Sequence, residues 1–297
     1  MKKVVLTGAT GFLGYVLLRE LVANGVFVYA VCRKNSQRLS RLDNIDNIAI
    51  IELNMDEILD LSKYIDEPCD VFYHLAWEGE RDNFEQQYKN VGVAVDSVKV
   101  ASVLGCAKYI CTGSQAEYCF TEELIDEDTP LHPATSYGAC KVAAYFLTKD
   151  AAEKLGLSHI WVRVFSVYGP HDNPNTLIMQ LLDNARKNKI THLETDASHV
   201  WNYLHEDDAA RALYLIGEKD LGASGVYNLA GDSNQFLSFY LNVMKDIAPS
   251  KINFTFGTTR SAVNLCVSID KISRAINWKP KEYYKNCVSG MLSQINT

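Results

Sequence analysis

The first fourteen residues, MKKVVLTGATGFLG, constrain the chain more than any other stretch. Val4, Val5 and Leu6 make an apolar run of strand length, and Gly8, Gly11 and Gly14 follow at intervals of three. Leu13, Val16, Leu17 and Leu21 then recur at helical spacing. Glycines let a backbone turn tightly and come close to a pyrophosphate, and a helix N-terminus offers unpaired N–H groups to an anion. Strand, glycine turn and helix in this order predict a dinucleotide site. Glycines near a turn also occur with no such role, so the rest of the chain has to supply the site's other walls.

With 297 residues, 47% of them apolar and 22% charged, the composition suits one large or two interlocked globular domains. A net charge of -7 argues against a nucleic-acid partner and gives no hint of an acidic membrane surface. Arg19 and Glu20 interrupt the apolar opening, so it does not read as a signal peptide, and no apolar run reaches membrane-spanning length. A cytoplasmic protein is expected. The eight cysteines include no C-x-x-C pair, and reduced, mostly buried thiols follow. The seven histidines show no ligand spacing, so no metal is expected.

Short apolar runs alternate with longer amphipathic ones. Strands are predicted at Val4–Leu6, Val26–Val31, Ile48–Ile51, Val71–Leu75, Tyr109–Thr112 and Ile160–Val164, with helices about Val91–Leu104 and Tyr137–Leu155. This is the pattern of an α/β fold with a doubly wound parallel sheet.

Two places carry chemistry. The second strand ends in Arg33-Lys34-Asn35-Ser36, where dinucleotide folds usually set a carboxylate against the ribose 2′-hydroxyl. A guanidinium there can fork onto a 2′-phosphate and Lys34 can add charge, which favours NADP over NAD; a solvated basic loop is the alternative. Farther on, the fifth strand runs into Ser114, and the next helix carries Tyr137 and Lys141, four residues apart on one face. An ammonium beside a phenol stabilises the phenolate and makes Tyr137 a usable proton donor and acceptor.

TGATGFLG, Ser114, the Tyr137/Lys141 pair, Arg163-Val164-Phe165-Ser166-Val167-Tyr168-Gly169-Pro170, His205-Glu206-Asp207-Asp208, Val226-Tyr227-Asn228-Leu229 and Asn277-Trp278-Lys279-Pro280 together resemble the extended short-chain dehydrogenases/reductases. They are most similar to the NAD-dependent epimerase/dehydratase branch, over essentially the whole chain. The resemblance implies a Rossmann domain of 1–165 plus about 200–230, and a smaller α+β substrate lobe of about 166–199 and 231–297. It implies that Ser114 hydrogen-bonds the reacting oxygen, Tyr137 transfers the proton, and Lys141 holds the nicotinamide ribose. The cofactor would meet Gly8, Thr10, Gly11, Phe12, Leu13 and Gly14, then Arg33, Glu52-Leu53 at the adenine, Leu75-Ala76-Trp77, Asn90 and Phe165. A nucleotide-sugar would meet Ser114, Ser166, His171, Trp201 and Arg260. Asn90 has a solvated polar role as its alternative, His171 a turn-capping role, and Trp201 a core role.

Within that branch, dehydratases carry an Asp-Glu pair directly after the active-site hydroxyl. Here Gln115-Ala116 stand there, and neither titrates. Tyr168-Gly169-Pro170-His171 resembles the GDP-fucose synthase group, whose histidine works with a cysteine, but the cysteine's place is Ala116. The usual asparagine after the sixth strand is Ser166, the usual diphosphate-binding arginine is Trp201, and Trp-Asn-Tyr-Leu resembles deoxysugar 4-ketoreductases. The resulting expectation is NADP-dependent reduction of the 4-keto group of a nucleotide-linked deoxysugar. A nucleotide-sugar 4-epimerase with tightly bound NAD is the alternative, and a non-catalytic redox-sensing protein the minor one. Relatives also imply a homodimer.

Overall fold

A computed structural model describes residues 1–118, 123–261 and 264–293. In chain order the elements are β1 (Lys3–Thr7), α1 (Phe12–Ala23), β2 (Phe27–Cys32), β3 (Ile48–Glu52), β4 (Val71–His74), α2 (Phe84–Val103), β5 (Lys108–Ser114), α3 (Ser136–Leu155), β6 (Ser158–Val164) and β7 (Ser166–Tyr168). There follow α4 (Leu177–Arg186), β8 (Thr191–His192), β9 (Val200–His205), α5 (Glu206–Glu218), β10 (Ser224–Leu229), β11 (Asn234–Phe236), α6 (Leu237–Ile247), β12 (Phe254–Thr255), α7 (Asp270–Ile276) and α8 (Tyr284–Ser293).

Seven strands form one sheet in the order β10-β6-β5-β4-β1-β2-β3, every neighbouring pair parallel. The order reverses beside β1, so the crevice at the strands' carboxyl ends opens beside the glycine turn, where α/β sheets bind ligands. Both faces are covered, which is why these strands read as continuous apolar runs rather than alternating ones. One face packs α1, α5 and α7 through Leu17, Leu21, Leu213, Ile216 and Ile272. The other packs α2 and α3 through Val91, Ala94, Val98, Cys140 and Ala144.

α2, α3 and α5 start where a side chain satisfies one of their first N–H groups. Asn83 accepts from the Gln86 N–H at the head of α2, and Thr135 from the Gly138 N–H at the head of α3. α3 ends on Gly156 at φ 73°, the left-handed turn that favours glycine. α1 differs: its cap is Gly11 and no side chain closes it.

The expected strands are all present; β5 runs on to Ser114 and β3 to Glu52, whereas β4 stops at His74, one residue short of the expected Leu75. Two stretches bear on the expected division into domain and lobe. β9 does not return to the main sheet but lies between β7 and β11 in a three-stranded sheet of its own; only β10 joins β6. Residues 265–278 leave the lobe, because Leu265, Val267, Ile269, Ile272, Ile276 and Trp278 bury themselves in the core around α5 and β10. The lobe has a separate core of Tyr168, Ile178, Leu181, Leu241, Met244 and Val288.

No helix among the described residues is long and apolar enough to cross a membrane. The described cysteines are free thiols and five of them are buried, whereas Cys119 lies outside the described residues.

Candidate active site

Two clefts meet at Leu75 and Trp77, which line both. The smaller, of about 570 Å³, runs over the glycine turn; the larger, of about 800 Å³, runs between the sheet's carboxyl edge and the lobe.

Gly8, at φ 74°, donates its N–H to the Val31 carbonyl at 3.0 Å and accepts from Gly11 at 2.8 Å, which ties the turn to β2. A methyl group on Gly14 would overlap the Gly8 carbonyl oxygen, so glycine here lets α1 seat against the turn. The uncapped N–H groups of α1 therefore face the cleft that Gly8, Thr10 and Gly11 line, a ready anion site. Phe12 and Leu13 line the larger cleft.

Arg33, Asn35, Ser36 and Arg38 line the far end of the smaller cleft, and Arg33 is exposed. Lys34 is not among them. Its ammonium pairs with Glu57 at 2.7 Å, which in turn caps the short helix Met55–Lys63, so the added charge expected from Lys34 is spent away from the cleft. Glu52 and Leu53 also depart from expectation. The Glu52 carboxylate accepts the Asn35 N–H at 3.2 Å, Leu53 is 1% exposed in the core, and Met55 lines the cleft instead.

Asn90 is buried rather than solvated. Its amide accepts the Glu78 N–H and donates to the Glu78 and Gln86 carbonyls, each at 2.9 Å. One helical turn away, fully buried Gln87 accepts from Trp77 Nε1 at 2.6 Å and donates to the Glu80 carbonyl at 2.8 Å. The pair holds the Ala76–Glu80 loop, and neither lines a cleft.

Ser114, Tyr137 and Lys141 come together on the larger cleft. Lys141 is buried, donates to the Thr112 carbonyl at 2.8 Å and lies 3.6 Å from the Trp77 ring centroid and 5.9 Å from that of Tyr137. A carbonyl and an aromatic face thus fix the ammonium beside the phenol. The Arg81 guanidinium also lies near the Tyr137 ring, 4.8 Å from its centroid. Beneath them His74 is held well below its ordinary value, at about 3, by burial and then by Lys141. The Thr7 hydroxyl lies 3.0 Å from His74 Nδ1 and accepts the Ala76 N–H at 3.2 Å, so His74 is a neutral strut under the loop.

On the lobe side, Phe165, Ser166 and Trp201 line the larger cleft, and Ser166 donates to Gln115 at 3.4 Å. Trp201 serves both expectations at once: it lines the cleft and packs against His199 and Tyr203. His171 does not line it. Its Nδ1 bonds the buried Glu206 carboxylate and its ring meets Tyr15 edge-on at 4.9 Å, while Arg41 donates to its carbonyl at 3.4 Å. The His171 backbone N–H and Nδ1 are both engaged by Glu206, the arrangement of the turn-capping alternative. Arg260 is exposed and stands outside the cleft lining, beside Asp196.

Histidine spacing could not reveal one cluster: nitrogen, oxygen and sulfur atoms of His205, Glu282 and Cys287 lie within 4.8 Å of one another. Each already has a protein partner. Cys287 donates to Glu282 at 3.6 Å and His205 Nδ1 accepts the Asp207 N–H at 3.3 Å, so the group is satisfied without an ion.

Residues 4–230 match the family model of the NAD dependent epimerase/dehydratase family. The chain belongs to that family. Curated relatives include the dTDP-glucose 4,6-dehydratase of Neisseria meningitidis, 22% identical over 96% of this chain and 91% of the relative. Another is an uncharacterized UDP-glucose epimerase of Bacillus subtilis, 20% identical over 99% of this chain and 98% of its own. Among solved structures, the UDP-glucuronic acid 4-epimerase of Bacillus cereus in complex with UDP-glucuronic acid and NAD superposes with a TM-score of 0.87 at 20% identity, covering 100% of this chain and 99% of that one. MoeE5 with UDP-glucuronic acid and NAD gives the same score, identity and coverage. The epimerase/dehydratase fold, a parallel sheet carrying a smaller lobe, is thereby shared with extended short-chain enzymes.

Proposed function

We propose that the protein moves a hydride at C4 of a nucleotide-linked sugar, with Tyr137 carrying the proton, Ser114 hydrogen-bonding the C4 oxygen and Lys141 fixing the tyrosine and the nicotinamide ribose. The observation that carries this is the convergence of those three side chains on one cleft next to the glycine turn. When bound, the nicotinamide cofactor supplies or takes the hydride; the chain's own groups position the oxygen and exchange its proton. Gln115 lines the cleft where the dehydratases of the family set an acid, and Ala116 follows it, so elimination of water has no acid-base pair to run on.

The direction of hydride transfer follows from the cofactor. Exposed Arg33, with Arg38 and Ser36 beside it and no carboxylate at the end of β2, supports NADP and hence a 4-ketoreductase that exchanges its cofactor. A second reading, a 4-epimerase retaining NAD, is supported by the epimerases among the relatives and by the NAD bound in the similar structures. A panel of nucleotide-sugars incubated with NADPH and with NADH, read by NMR of the products, separates the two. A new C4 hydroxyl formed with consumption of NADPH supports the first, and C4 epimers formed without net oxidation support the second. We also propose a homodimer through α2 and α3, which expose Phe84, Tyr88, Val103 and Phe146; light scattering at known mass tests it.

A further inference from the structure

Behind Ser114 lies a charged network outside the lining of both clefts. Glu117 has no exposed surface, yet its carboxylate accepts the Ser114 backbone N–H at 2.7 Å, Trp161 Nε1 at 3.0 Å and Arg163 Nε at 2.8 Å. Arg163, 2% exposed, donates onward to the Tyr118 hydroxyl at 2.7 Å, which donates to Asn228 at 2.7 Å. A buried ion pair of this kind is poor evidence of stability, since apolar side chains of equal volume often do as well. Its geometry suits another purpose. Ser114 and Glu117 form a reciprocal cap on the single turn Gln115–Glu117: the Ser114 Oγ accepts the Ala116 N–H at 3.2 Å while Glu117 holds the Ser114 N–H.

We infer that Glu117, anchored by Arg163 and Trp161, is a positioning residue that locks the backbone and hydroxyl of Ser114 for the reacting C4 oxygen. One lone pair of Ser114 Oγ is committed to the Ala116 N–H, so the hydroxyl proton is left for the substrate oxygen. Glu117 is fully buried and does not line the cleft that Ser114 and Gln115 line. A freely rotating serine would spend much of its time in other rotamers, and catalytic groups lose effect when loosely held.

This rests on the role of Ser114 proposed above, and a double-mutant cycle separates the two claims. Ser114→Ala should lower kcat about 100-fold, the scale of losing one preorganised donor. Glu117→Gln should lower kcat about 10-fold, within the range of couplings between contacting residues, with NADPH affinity unchanged. Adding Glu117→Gln to Ser114→Ala should then cost nothing more, because the residue it positions is gone. Because Glu117→Gln leaves Arg163 buried without a counter-charge, the same cycle is run with Glu117→Gln joined to Arg163→Met, at a temperature where the far-UV spectrum matches the parent. Losses that multiply, or unchanged turnover in Glu117→Gln, overturn the inference alone. Full activity in Ser114→Ala overturns the reading beneath it as well.

Discussion

At the cofactor end of the cleft the wall is main chain: the Gly8 and Gly11 peptides, the open N-terminus of α1 and the Ala76 loop. At the sugar end the wall is side chains, among them Ile178, His199, Trp201, Tyr203 and Leu237, brought together from three elements and the loop before β9. The difference matters because backbone recognition needs only a conformation that few residues permit, whereas side-chain recognition can be rewritten one residue at a time. The first end suits any dinucleotide that fits the turn, and the second is the end whose side chains can tell one sugar from another.

The sharpest way to break this division is at the junction of the two ends. Tyr137→Phe removes only the phenolic hydroxyl, and turnover should fall by about 100-fold to 10,000-fold, the usual contribution of general acid-base catalysis. NADPH binding, measured by fluorescence titration, should survive. Near-normal turnover would mean that a group outside the Ser114, Tyr137 and Lys141 set carries the proton.

Next comes the cofactor's ribose end, the one place where side chains define that wall. If Arg33 meets a 2′-phosphate, Arg33→Asp removes charge-assisted hydrogen bonds worth about 1.5–3 kcal/mol each, and NADPH affinity should drop about 10-fold to 150-fold. NADH affinity should hold or rise. Equal weakening of both cofactors would return Arg33 to the solvent.

A third test addresses the struts beneath the site. Burial pushes His74 down to about 3 and His159 down to about 4, against an ordinary value of 6.5 in the unfolded chain. Both are neutral in the fold, so the unfolded state takes up protons first as the pH falls. Their contribution to stability is complete above pH 6.5 and is lost progressively as the pH falls through about 4 and about 3. Urea midpoints should be level from pH 8 to 7 and fall steadily below about 6, where histidines charge. A flat profile down to pH 4 would mean that these imidazoles are hydrated in the native state.

The smallest effect is expected at His171. His171→Asn keeps a donor near Glu206 and should leave turnover far above the roughly 100-fold loss that removal of a general acid brings, while lowering the melting temperature. A catalytic-sized loss would restore His171 to the chemistry.

How much of this was legible in the sequence follows the same division. The parallel sheet, the glycine turn and the Tyr137/Lys141 pair were readable because each depends on local spacing: apolar runs of strand length, glycines where backbone packs on backbone, and a one-turn offset on a helix. Lys34 was misread because its partner Glu57 lies 23 residues on, a separation that no local spacing links. The contact of His171 with Glu206, 35 residues away, is hidden from local spacing in the same way. β9 was not among the expected strands, and only its pairing with β7 and β11 reveals which sheet it joins. Glu117 could have been found: Ser114-x-x-Glu117 is a capping box in plain view, but the glutamate's burial against Arg163 depends on β6.

The central claim is that this site runs one-way reduction at C4 with an exchangeable NADP, and the cofactor itself tests it most directly. Protein purified without added cofactor is denatured and its supernatant assayed for nucleotides; the same preparation receives deuterium-labelled NADPH and a nucleotide-linked 4-keto-6-deoxyhexose. The account predicts a largely empty protein, NADPH consumed in proportion to product, and deuterium at sugar C4. Tightly held NAD released on denaturation, with C4 epimers interconverted and no NADPH consumed, would contradict it and make the protein an epimerase.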